Sequence, residues 1–156
     1  MKISDFLHDK AVSADLKAVD KVSAIKELVA LLVSAGCIRR DDQQALVETL
    51  LSREELGSTG IGQGVGIPHG KSDAVKDLVA AFGRSPAGVD FDSLDGEPVQ
   101  LFFLLVAPSA SAGPHLKALA RISRLLKDKY FREALKSAKD DREIIRIIKE
   151  EDAKRQ

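Results

Sequence analysis

The sequence has one cysteine, Cys37, no tryptophan, a single tyrosine and a single methionine, and the cysteine count is the one that closes off structural classes. One cysteine permits no internal disulfide, and without CxxC pairs there is no structural zinc site to expect, so the chain suits a reducing cytoplasm. Twenty-four Lys and Arg residues balance twenty-four Asp and Glu residues, so no net basic field is present to hold nucleic acid or an anionic membrane. Asp5, Asp9 and Lys10 stand where a signal peptide needs its apolar segment, and the longest apolar run, Leu101 to Ala107, is far too short to span a bilayer. The reading is therefore a cytoplasmic chain with no membrane insertion and no nucleic-acid partner. At 156 residues, with 44% hydrophobic and 31% charged residues, it suits a single domain over residues 1–156, with a charged tail from about 150. A chain of this size can bury about 68–70% of its unfolded surface.

What the sequence does have is glycine in one place. Gly57 to Lys71 reads G-S-T-G-I-G-Q-G-V-G-I-P-H-G-K and holds six of the eleven glycines. Glycine at that density costs backbone entropy without burying apolar surface, which points to an active-site loop. Pro68 fixes its own φ and pushes Ile67 toward extended geometry, so His69 is expected on a stiff, strand-like lead-in. Neither common nucleotide fingerprint fits. A Walker loop ending at Gly70-Lys71-Ser72 needs glycine where Val65 stands, and the G-x-G-x-x-G pattern fails at Val65, Ile67 or His69 in its three possible registers.

Along the chain, Met1 to Asp9 reads as a short helix or turn with a solvated His8, and Ala11 to Val19 as an extended segment. Asp20 caps a helix whose Ile25, Leu28, Val29 and Leu32 share one face and which Gly36 stops. A second helix starts at Asp41 or Asp42, runs to Glu55 and carries Arg53 in its last turn. That arginine can satisfy the helix dipole, fold over whatever the glycine stretch binds, or both. Leu78 to Phe82 is strand-like and stops at S-P-A-G. Val99 to Ala107 is the strongest strand, and its unbroken apolar character means both faces are covered, as at the centre of an α/β sheet. Pro114 and His115 open a helix through Leu126, and two more follow around Phe131 to Ala138 and Ile144 to Ile148.

In α/β sheets ligands sit beyond the carboxyl ends of strands, and the order of elements places His69 just after one strand and His115 at a loop-to-helix junction after another. The two can face each other. A neutral imidazole nitrogen can attack a phosphoryl group if a second group fixes its tautomer and nearby donors balance the charge. Such transfer needs mainly positioning and electrostatics, which loop N–H groups, His115 and Arg53 can supply, and it requires no metal. A metal hydrolase built on His69, His115 and Asp73 fails for want of further ligands at zinc spacing.

The glycine stretch, with R-E-E-L before it, the F-D-S-L-D-G-E-P-V run and the later P-H-L-K-A-L-A-R-I-S, resembles the type-2 EIIA domain of the phosphoenolpyruvate-dependent sugar phosphotransferase system, in its fructose/mannitol and nitrogen-regulatory class. The resemblance covers nearly the whole chain. It implies an α/β fold with a central mixed sheet flanked by helices on both sides, a three-layer sandwich. It implies that His69 accepts a phosphoryl group at Nε2 from HPr or its nitrogen-branch paralogue, with His115 and Arg53 stabilising charge. Thr59, Gly60, Gly64 and Gly70 then belong to the phosphate-binding loop, and no cofactor or metal is called for. The acceptor is a IIB domain in sugar-transport members or a regulated protein in nitrogen-regulatory ones. The chain ends a few residues past its last helix without IIB or IIC sequence, so a free-standing regulator is the preferred expectation and a stand-alone IIA of a fructose/mannitol-type transporter the alternative. A protein-interaction module indifferent to phosphorylation remains as a reading of a different class.

Overall fold

A computed structural model describes residues 1–154. A 3-10 turn at Ile3–Asp5 precedes strand β1 (Leu7–Ser13), then helix α1 (Lys21–Ser34), a second 3-10 turn (Arg40–Asp42) and helix α2 (Gln43–Glu55). Strands β2 (Gly60–Gly62), β3 (Val65–Gly66) and β4 (His69–Lys71) follow, then the long β5 (Val79–Val89) and β6 (Val99–Ala107). Helices α3 (Ala112–Leu126), α4 (Lys129–Ser137) and α5 (Asp141–Lys154) complete the order.

The strands form one mixed sheet in the order β1-β5-β6-β3-β2, with β4 also paired to β6. Because side chains alternate across a strand, β6 feeds two separate cores. Leu101, Phe103 and Leu105 pack with residues of α3, α4 and α5, whereas Phe102, Leu104 and Val106 pack with residues of α1 and α2. Helices thus cover both faces in a three-layer α/β fold, which explains why β6 carries no polar alternation.

Helix α1 begins and ends where its sequence says. Asp20 accepts the Ser23 N–H at 2.8 Å. Beyond its last turn Gly36, at φ 77°, donates to Val33 and Cys37 donates to Leu32, the paired bonds of a Schellman stop. A Cβ at that φ is strained by roughly 1–2 kcal/mol. Gly36→Ala is therefore expected to lower unfolding stability by about 1 kcal/mol in a urea titration with the slope unchanged; an unaltered midpoint would contradict this.

Four expectations need correction. The amino-terminal strand starts at Leu7 and ends at Ser13, with only the turn at Ile3–Asp5 helical, because Leu7, Ala11 and Val12 are drawn into the core beside β5. β5 does not stop at S-P-A-G. Its ladder with β6 shifts register between Arg84 and Val89, so Pro86 lies where a missing N–H breaks no pair. Helix α3 starts at Ala112, which puts Pro114 and His115 inside its first turn rather than at its opening. Finally, the charged tail expected from about 150 is helical as far as residue 154, since α5 continues to Lys154 with Asp152 buried within it, and the last two residues of that expected tail lie outside the described residues.

Candidate functional site

The glycine-rich stretch is less a loop than the edge of the sheet. Gly60–Gly62 and Val65–Gly66 form a small antiparallel hairpin whose turn holds Gly62, Gln63 and Gly64 at φ 94°, 61° and 75°. Beyond it, Val65 pairs with Leu101, Gly66 with Phe102, His69 with Leu105 and Lys71 with Ala107, all at one constant register along β6. Val65 to Lys71 is thus a single parallel run along β6, interrupted only around Pro68, where the Ile-Pro pair dictates a stiff lead-in; β2 flanks its first part, and from His69 onward it is the edge of the sheet. His69 lies on this edge strand rather than after it.

Register decides which way His69 faces. It is aligned with Leu105, whose side chain joins the α3 core, so the imidazole lies on the α3 face. There it meets His115, with ring centroids 5.6 Å apart and planes tilted by 59°. Nδ1 of His69 lies 2.7 Å from the Ile67 carbonyl oxygen. A carbonyl can only accept, so Nδ1 carries the proton and the lone pair of a neutral ring resides on Nε2.

His115 is buried, and its Nδ1 has no hydrogen-bond partner. Burial pushes its pKa below the ordinary 6.5, and the charges of His69 and Lys71 push the same way. The ring is neutral at neutral pH, available to take up a proton if negative charge arrives beside it. The depressed value also has a stability consequence. An unfolded chain protonates near 6.5 and the folded chain only at lower pH, so the contribution is whole above about pH 6.5 and is lost as pH falls toward the folded value. Between about pH 7.5 and 5.5, the wild type should lose more unfolding stability than His115→Gln; equal losses would refute the linkage.

The other expected site residues are committed to the fold. Arg53, in the last turn of α2, donates from Nη1 to the Gly57 carbonyl at 2.9 Å, which is the helix-terminal role. Thr59 is buried: its N–H donates to Glu54 Oε1 at 3.1 Å and its hydroxyl to Glu54 Oε2. Gly60 accepts from the Leu94 N–H, and a Cβ there would collide with Ser93. The Gly64 carbonyl accepts from Gln100 and Leu101, while Gly70 pairs with Val106 beneath Leu50 of α2. The structure thus brings His69 and His115 together and gives these glycines close-packing and turn duties. Among the described residues, no three His, Cys, Asp or Glu side chains gather as a metal site, and no helix is long and apolar enough to cross a membrane.

The sequence profile of the family described as "Phosphoenolpyruvate-dependent sugar phosphotransferase system, EIIA 2" matches residues 5–151. The chain belongs to this family. The nitrogen regulatory protein of Bradyrhizobium diazoefficiens is 40% identical over 148 residues, covering 95% of each chain. The fructose-specific EIIABC component of Bacillus subtilis is also 40% identical over 152 residues, which span 97% of this chain and 24% of that longer protein. The crystal structure of the nitrogen regulatory protein IIA-Ntr from Neisseria meningitidis superposes with a TM-score of 0.83 at 34% identity, covering 94% of this chain and 98% of that one.

Within this EIIA chain, two features of the site escape motif reading. One is the Ile67 carbonyl, a backbone group with no residue-type signal. The other is Glu54, whose contacts with Thr59 and Lys21 join α2, α1 and the residue that leads into β2. A clue to Glu54 lies in the sequence: an acidic residue in the last turn of a helix opposes the dipole.

Proposed function

We propose that this EIIA chain is a histidine phosphocarrier that accepts a phosphoryl group on Nε2 of His69. The observation that carries the reading is the 2.7 Å contact between His69 Nδ1 and the Ile67 carbonyl, which leaves Nε2 as the nucleophilic atom. In the transfer, the Nε2 lone pair attacks phosphorus, and the bond from phosphorus to the donor's histidine breaks with its electron pair returning to the donor ring. The Ile67 carbonyl stabilises the positive charge that develops on the His69 ring. His115, neutral beforehand, then gains a reason to bind a proton, because a phosphoryl dianion favours the charged imidazole. Arg53 would leave the Gly57 carbonyl to reach the phosphoryl oxygens. Family membership supports HPr, or its nitrogen-branch paralogue, as the donor.

The downstream role is proposed to be regulatory, supported by the 40% identity to the Bradyrhizobium nitrogen regulatory protein and the 0.83 superposition on IIA-Ntr. The 40% identity to the Bacillus fructose component supports delivery to a IIB domain as the second reading. Intact mass after incubation with phosphoenolpyruvate, enzyme I and HPr or its paralogue tests the chemistry: a single acid-labile phosphate is expected, and no adduct with either carrier would overturn it. Rapid loss of that phosphate to an added fructose-type IIB domain would then favour the transport role over the regulatory one.

A further inference from the structure

Glu54 is a carboxylate in an unfavourable place. It sits in the last turn of α2, where the helix dipole disfavours negative charge, and its residue is only 4% exposed. A buried carboxylate is tolerated when it is paired and hydrogen-bonded. Here Thr59 supplies both its N–H, at 3.1 Å to Oε1, and its hydroxyl, to Oε2, while Lys21 Nζ lies 3.7 Å from Oε1. The side chain is therefore fixed from three directions.

What this arrangement holds in place is the Thr59 backbone, and the Thr59 carbonyl accepts the Ile67 N–H at 3.0 Å. The Ile67 carbonyl in turn accepts Nδ1–H of His69 at 2.7 Å. Both backbone groups of Ile67 are thus engaged, one by Thr59 and the other by the imidazole. The peptide that follows is to Pro68, which has no N–H of its own to offer the ring. Glu54, Thr59, Ile67 and His69 form an unbroken sequence of hydrogen bonds from the end of α2 to the imidazole.

We propose that Glu54 and Thr59 are positioning residues for His69: by fixing the Thr59 carbonyl against Ile67 they hold the imidazole in its Nδ1–H tautomer with Nε2 free. The catalytic consequence rests on His69 being the phosphoryl acceptor, but the tautomer does not. A misplaced carbonyl lets the ring return to the Nε2–H form that an unconstrained histidine prefers, and that form has no lone pair on Nε2.

The test uses the full chain, ¹⁵N-labelled, as wild type, Thr59→Val, Thr59→Ser and Glu54→Gln, with His69 ring signals assigned against His69→Ala. Ring ¹⁵N shifts at a pH where the imidazole is neutral report the tautomer, and single-turnover uptake from phosphorylated carrier reports the rate. Wild type and Thr59→Ser should show the Nδ1–H form and similar rates. Thr59→Val should shift toward Nε2–H and take up phosphate roughly tenfold or more slowly. Glu54→Gln keeps the side-chain volume and should shift in the same direction by less, so it decides the matter if Thr59→Val does not fold. A wild-type tautomer in the folded variants overturns the proposal, even with a slowed rate, because it confines both residues to tying α2 to the sheet. Failure of wild type to accept phosphate would overturn the phosphocarrier reading instead, with the ring shifts still deciding the positioning role.

Discussion

Replacing His69 with alanine is expected to abolish phosphate uptake from a phosphorylated carrier completely, whereas His115→Ala is expected to slow uptake while still yielding one phosphate. The difference follows from what each ring offers. His69 sits half-buried on the edge strand with Nδ1 tied to Ile67, so it has a free nitrogen and a fixed direction. His115 is buried, its pKa is depressed, and its Nδ1 lacks a partner, which suits a group that receives charge rather than one that attacks. Removing a nucleophile removes the covalent step, for which no other side chain within this geometry substitutes. Removing a stabilising group costs about 10²–10³ in rate where it faces developing charge. Intact mass and the time course of uptake in the two variants check both statements. Label surviving in folded His69→Ala would transfer the acceptor role elsewhere, and a His115→Ala variant as fast as wild type would leave that ring a packing residue.

Much of this architecture was legible because it is local or periodic. Asp20 and Gly36 bound α1 by rules that act within a few residues, and the apolar run of β6 declares a strand buried on both faces. Pro68 likewise states an extended lead-in, and the structure extends it into the register of Val65 to Lys71 along β6. The residue types of the candidate site stand in the sequence, whereas its hydrogen bonding does not. Nothing in a sequence says that a glycine-rich stretch will use its backbone groups to build a hairpin and a sheet edge, since that depends on β6 arriving from some forty residues later. Arg53 shows the same limit: its position at a helix end allows a cap, a phosphate contact or both, and only the structure shows its guanidinium donating to the Gly57 carbonyl. Pro86 misleads for the opposite reason, because a proline excludes an ordinary ladder position but not a register shift.

The carboxyl-terminal segment was the least legible part, and it yields the largest stability effect expected of a single polar change. E-E-D-A-K-R-Q reads as solvated charge, yet α5 brings Asp152 under the amino terminus, where Oδ2 accepts the Ile3 N–H at 2.7 Å. Arg121 of α3 donates to Oδ1 from Nε at 2.7 Å and to the Asp152 carbonyl from Nη2 at 2.8 Å. One carboxylate thus ties α5 to α3 and to the first turn of the chain, with side-chain exposures of 2% for Asp152 and 12% for Arg121. Deleting this carboxylate removes the negative charge facing the Arg121 guanidinium and strips the Ile3 N–H of its acceptor, while the Asp152 carbonyl still receives Nη2, so the cost should be about 3 kcal/mol, the lower end for breaking a buried pair. Asp152→Ala should therefore move the urea midpoint by a large fraction of total stability. Glu150→Ala, two residues earlier, removes an exposed i,i+4 partner of Arg146 and should cost no more than about 0.5 kcal/mol. If the two substitutions shift unfolding equally, the Asp152 carboxylate does no more than offset its own desolvation, and α5 is held by its other contacts, among them the burial of Ile144 and Ile148.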